Sequence, residues 1–225
     1  MRKLPVLAEI GTPTSSNGRA WGLRRHDLEA LGGVRERLDG RRVVLVTGVE
    51  EAAPTAAVAL AGVAAAAGVA TAVVECDIER PRLADDLGLS PEPGLHEYLR
   101  WEAKPGDIVQ PLALAGSAAS TEAAPLACVV AGRPTSKAHT LLGLGSFRHM
   151  TAKLRKAYEL VILLGPPLEG AGGALDTAAA EADCSIAALA ERPNRRAAKA
   201  NHQALSWLQA PPLGAIVVEG ANGGQ

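Results

Sequence analysis

Apolar positions in this chain fall into two kinds of run. Short, nearly continuous runs occur at Val43–Thr47, Thr71–Glu75, Leu126–Ala131, Leu160–Leu164, Ser185–Leu189 and Ala215–Val218. Each is bounded by Gly, Pro or charged residues, the pattern of strands buried on both faces. Between them the spacing is helical. Leu28, Leu31, Val34 and Leu38 share one face of a helix over 25–38, although Gly32-Gly33 weakens it by about 1 kcal/mol per glycine. A segment from Thr55 to Ala67 is apolar nearly all round, as suits a helix buried against a sheet. Short helical pieces follow at Arg82–Leu87 and Leu95–Arg100. An amphipathic helix is marked by Phe147, Met150, Leu154 and Tyr158, and further helices are expected over 172–182 and 195–208. Strand, helix and strand between 43 and 75 form a βαβ unit, hence a parallel pair with a right-handed crossover. The pattern predicts one α/β domain over 25–220, a doubly wound and mostly parallel sheet with helices on both faces. Residues 1–24 read as an extended leader, 113–124 as a low-complexity loop and 221–225 as a short flexible tail.

Bulk properties narrow the function. With 225 residues, 48% of them hydrophobic, the chain can fill a full α/β core. A formal net charge of -1 argues against a nucleic-acid binder, which needs a basic face. Cys76, Cys128 and Cys184 lie far apart in apolar contexts and read as buried free thiols. The apolar stretch from Ala52 to Val74 is broken by Pro54, Gly62 and Gly68, so it divides into helix and strand instead of spanning a membrane. No signal-peptide core follows Met1, and a cytoplasmic protein is expected. His26, His96, His139, His149 and His202 lack metal-ligand spacing, and no Gly-x-Ser-x-Gly elbow occurs. The pairs Arg24-Arg25, Arg41-Arg42 and Arg195-Arg196 read first as solvated helix ends, with acidic partners or lipid headgroups as the functional alternative.

The turn from the first buried strand into the first buried helix is the unusual place. In a nucleotide-binding α/β protein it holds a glycine-rich loop and a lysine. Here it reads Gly48-Val49-Glu50-Glu51-Ala52-Ala53-Pro54-Thr55, without lysine or glycine inside the loop and with two added carboxylates.

Other segments resemble a known family. Glu75-Cys76-Asp77-Ile78-Glu79-Arg80-Pro81-Arg82-Leu83 is similar to the "D-x-D-x-R-R-P-R-L" segment of bacterial tyrosine kinases of the CpsD/CapB type, P-loop proteins related to the MinD/ParA ATPases. Tyr158-Glu159-Leu160-Val161-Ile162-Leu163-Leu164-Gly165-Pro166-Pro167 is similar to that family's "Y-D-Y-V-I-I-D-T-P-P". Leu87-Gly88-Leu89, Pro93-Gly94-Leu95, Tyr98-Leu99 and Ile108-Val109-Gln110-Pro111 follow the intervening pattern. Leu4-Pro5-Val6-Leu7 resembles the segment that precedes such domains where a membrane-anchored Wzz-like chain-length regulator leads into them.

The resemblance implies a P-loop NTPase-like, MinD/ParA-like fold, and it shows where the chain departs from the family. Aligned on the following helix, Glu51 and Ala52 stand in the phosphate loop. The loop lysine falls at Ala53, the next Ser/Thr at Pro54 and the second Thr at Thr55. Pro54 also removes a backbone N–H. One carboxylate about 4 Å from a phosphate charge is repulsive by roughly 4 kcal/mol at an effective dielectric near 20. Of the family's acidic positions, Glu75 and Asp77 keep a carboxylate, whereas Leu164 stands where the metal- and water-ordering Asp is expected. Asp77 is a weak catalytic candidate, weighed against a strand-end residue that caps the helix starting near Pro81. Thr55 is weighed likewise as a hydroxyl ligand against a helix cap. The family's C-terminal tyrosine cluster has no counterpart after Val218.

The first expectation is therefore a catalytically degenerate kinase-like domain, a binding or regulatory partner in exopolysaccharide or capsule assembly. It would use no cofactor and no metal and would act beside a membrane-embedded Wzz-like regulator, which implies recruitment to the inner face of the membrane; self-association is left open. The second is an active ATP- and Mg²⁺-dependent tyrosine kinase or ATPase with an unusual loop, its missing lysine replaced by Lys104, Lys137 or Arg80. The third is a ParA/MinD-like positioning protein, disfavoured because nothing recognisable binds a γ-phosphate.

Overall fold

The structure is a computed structural model that describes residues 4–12, 14–15, 21–22, 24–49, 51–112, 126–169 and 172–220. In chain order its elements are β1 (Val6–Gly11), the ribbon β2 (Thr14–Ser15) and β3 (Trp21–Gly22), α1 (Arg25–Glu36), β4 (Val43–Gly48), α2 (Ala52–Ala66) and β5 (Thr71–Glu75). Then come α3 (Leu83–Leu87), α4 (Leu95–Leu99), β6 (Gln110–Leu112), β7 (Leu126–Val129), α5 (Ala138–Leu142) and α6 (Gly145–Ala157). The chain continues with β8 (Leu160–Leu164), α7 (Gly172–Ala180), β9 (Cys184–Leu189), α8 (Arg195–Ser206) and β10 (Pro212–Glu219). Eight strands form one sheet in the order β1-β10-β9-β4-β8-β5-β7-β6, parallel throughout except for β6.

The central strands are buried on both faces, as their unbroken apolar runs require. One face packs α1 and α2 on Val44, Val46, Ile162 and Leu164. The other carries α4 to α7 on Val43, Leu45, Val74, Val161 and Leu163, with α8 further along on Ala187 and Ala215. α2 is buried along nearly its whole length, so small alanines let it lie close to six strands. At the opposite end of the sheet from the strand C-termini, Asp183 ties three elements together. It accepts hydrogen bonds from Arg42 N (2.8 Å), Val43 N (2.9 Å) and both guanidinium arms of Arg155 (3.0 and 2.9 Å). Burial raises its pKa, but these donors outweigh burial and hold it below the usual carboxylate range.

Two expectations need correction. Much of the supposed leader belongs to the domain: β1 pairs with β10, and Leu4, Ala8 and Ile10 are buried. Asp27 of α1 accepts from Gly11 N and Arg24 N, both at 3.2 Å, which fixes the helix to the end of β1. The first buried helix starts at Ala52 instead of Thr55, so Pro54 lies in its first turn, where a missing N–H costs no helical bond. The low-complexity loop at 113–124 and the tail at 221–225 lie outside the described residues.

Candidate functional site

β4 and β8 are neighbours whose onward connections diverge. From β4 the chain crosses one face through α2 to β5; from β8 it crosses the other face through α7 to β9. Such a switch, at the carboxyl ends of the strands, is where open α/β sheets form their ligand crevice. The sequence-predicted positions converge there. Ala53, Pro54, Glu75, Asp77, Arg80 and Leu164 line one recess.

That recess is small, with room for little more than a single water molecule. At its roof, the amides of Ala52 and Ala53 both donate to the carbonyl of Val49, at 3.1 and 3.0 Å. The next residue, Pro54, has no N–H. The first amides of the helix, which in an anion site point at the ligand, are thus turned back into the chain or missing. Gly48 just before the turn has φ 145°, and a Cβ there would lie 2.0 Å from the carbonyl oxygen of Ala188. Its carbonyl accepts from Leu168 N at 3.1 Å, and Val49 N donates to Ala188 O at 2.9 Å, so both sides of the turn are held to neighbouring segments. Glu51 is exposed directly before α2, and Glu50 lies outside the described residues.

The floor is equally committed. Leu164 pairs with Val46 on one side and Glu75 on the other, is 3% exposed, and joins the apolar cluster beneath α2. Glu75, 1% exposed, accepts from Arg82 N at 2.7 Å, Leu83 N at 2.8 Å and Ala131 N at 2.9 Å. Burial pushes its pKa above the usual carboxylate value. Its three N–H donors offset part of that rise, and the charge of Asp77 adds to it. Both carboxylate oxygens therefore hold backbone together. Asp77 accepts from Arg80 N at 3.2 Å and faces the Arg80 guanidinium at 3.8 Å.

Here the sequence expectations about caps change. α3 begins at Leu83, and its first amides are taken by Glu75, not Asp77, because the longer side chain two residues back reaches the helix start. Thr55 is the fourth residue of α2 and 9% exposed, so it is neither a first residue nor a cap. Of the three cations considered as lysine substitutes, Arg80 lines the recess and Lys104 and Lys137 do not.

A larger recess of about 320 Å³ opens alongside, between the ends of β4 and β9, with Val49, Leu168, Leu189 and Asn201 in its wall. Sequence reasoning missed these residues, because no motif marks them and only the strand order brings β9 beside β4.

These features define a doubly wound α/β domain with the fold of MinD/ParA-type P-loop proteins. Within it, the fold is that of bacterial tyrosine kinase domains. The chain superposes on the kinase domain of Escherichia coli tyrosine kinase ETK with a TM-score of 0.76 at 19% identity, covering 99% of this chain and 94% of that one. For the chimeric protein CapA2B2 the values are 0.77 and 18%, with 96% and 94% covered. The septum site-determining protein MinD of Pyrococcus horikoshii, solved with Mg-ADP, gives 0.58 and 16% over 78% of this chain and 69% of that one. No family model matches the chain, and no curated protein matches it in sequence. Among the described residues no helix is long and apolar enough to cross a membrane.

Proposed function

We propose that this chain is a catalytically degenerate bacterial-tyrosine-kinase-like protein that acts as a binding or regulatory partner in exopolysaccharide or capsule biosynthesis. The observation that carries this reading is the turn at 49–54, where two helix amides close on the Val49 carbonyl and a proline takes the place of a third. A nucleotide phosphate placed there would meet no lysine and would find the amides of Ala52 and Ala53 already engaged, and Leu164 would offer its metal no oxygen. The residues present do not fit ATP and Mg²⁺, so no phosphoryl-transfer step is assigned to them. What remains is a well-packed frame whose helix faces and strand edges can dock a partner. By the family resemblance that partner is a membrane-embedded Wzz-like chain-length regulator, which would hold the protein at the inner face of the membrane; a second copy of the chain is the other candidate. Calorimetric titration with ATP and Mg²⁺ is expected to show no binding, and a micromolar affinity would overturn the reading.

One observation favours an alternative: Arg80 lines the recess and could supply the charge of the missing lysine in an active kinase or ATPase. Its guanidinium is directed at Asp77. Transfer of radiolabelled phosphate, lost in Asp77→Asn, would establish this alternative.

A further inference from the structure

α8 packs on β9 and β10 through few residues, since Ala198 and Leu205 are the buried ones in its twelve. The segment 190–208 holds four cations, Arg192, Arg195, Arg196 and Lys199, against the single acid Glu191. Arg192 is engaged by Glu9. Arg195, Arg196 and Lys199 are exposed and form no ion pair among the described residues. Asn194 caps the helix by accepting from Arg196 N and Ala197 N, so the start of the helix is well formed. Cations in the first turns nevertheless oppose the helix dipole, whose positive end lies there. Their placement works against the helix dipole, and the described residues provide no ion-pair partner in return.

At 3.6 residues per turn, Lys199, Gln203 and Trp207 stack on successive turns, Arg195 continues that row and Arg196 flanks it. Ala198 and Leu205 fall opposite Arg196, Gln203 and Trp207, with Lys199 to one side and Arg195 at the border of the buried face. Trp207 closes the helix in helical conformation and is 80% exposed. The outer face of α8 is thus a strip about 18 Å long, with three cations towards one end and an indole at the other.

We propose that this face docks on an anionic lipid bilayer. Cations near such a surface meet its negative potential, and an indole ring favours the headgroup layer because one edge is apolar and the other carries an N–H. The chain's net charge of -1 makes the attraction local to this face. Docking through it does not depend on the state of the phosphate loop, so the proposal stands apart from the proposed loss of nucleotide binding.

The test is co-sedimentation of the full chain with vesicles of phosphatidylcholine containing about one third phosphatidylglycerol. Binding is expected at low ionic strength, lost in about 0.5 M salt, and absent with phosphatidylcholine alone. Neutralising two cations in R195A/K199A should weaken partitioning by about fivefold per cation and lower its salt dependence. Trp207→Ser should weaken it while leaving the salt dependence unchanged. All three positions are exposed, so circular dichroism of the variants should match the parent. Absence of binding to the anionic vesicles, equal binding to both lipids, or wild-type binding by R195A/K199A would overturn the proposal.

Discussion

Glu75 carries three backbone N–H donors on two buried oxygens and so joins the end of β5 to the start of α3 and to the residue that follows Val130. A strand-end glutamate in the sequence looks like a conservative stand-in for a metal-ordering Asp. The structure shows instead a side chain whose extra methylene lets it reach amides, so its oxygens are engaged in holding the backbone. Burial outweighs those donors and raises its pKa. The folded state thus holds this proton more tightly than the unfolded chain. The associated stability is fully present below the ordinary carboxylate pKa and is lost as pH rises through the raised folded value. Urea unfolding across that window should show stability falling with rising pH, and Glu75→Gln should remove this component. At neutral pH the amide leaves one buried donor unmatched, at a cost of about 1–3 kcal/mol. An unchanged pH slope in the variant would place the titration elsewhere.

At the level of elements, the central strands and the longer helices were legible because a buried parallel strand must be apolar on both faces. The edges were not. β1 carries Glu9 within it and Pro5 before it, and its partner β10 lies two hundred residues away in the sequence, so nothing local marks it as a strand. β6 contains Pro111, a residue a ladder accepts at a sheet edge but not in its interior. α5 is not marked in the sequence, although α3 and α4, equally short at five residues, are. β1 is nonetheless structural, because Ile10 is buried between the sheet and α1, and Pro5 O accepts from Ala215 N at 2.8 Å. Ile10→Ala should cost about 2–4 kcal/mol in chemical denaturation. Removal of residues 1–11 should bare the edge of β10 and drive aggregation, visible by light scattering. A truncated chain that stays monomeric with unchanged stability would return these residues to the role of a leader.

On the scale of the whole molecule, the fold and the turn at 48–54 answer to different parts of the sequence. The location of the candidate site was legible from motifs at 48–55, 75–83 and 160–167, which the strand order brings to one sheet end. Its internal bonding was not, because the Val49 carbonyl that takes two amides and the three donors on Glu75 are backbone facts that residue types do not encode. On the proposed reading the loss is distributed over the roof and the floor of the recess, and repair at one point should fail. Ala53→Lys places an ammonium at the expected lysine position. One charge contact about 4 Å from phosphate is worth roughly 4 kcal/mol at an effective dielectric near 20, about half of the roughly 8 kcal/mol behind micromolar binding. The other half would have to come from amides that still close on Val49, from Pro54, which has no N–H, and from an acidic residue where Leu164 stands. Calorimetry with ATP and Mg²⁺ should thus find Ala53→Lys no better than millimolar. The variant should also be less stable than the parent, since position 53 is buried and an ammonium there loses hydration. Micromolar binding by this single substitution would mean that the frame kept a working phosphate site and lacked only its lysine.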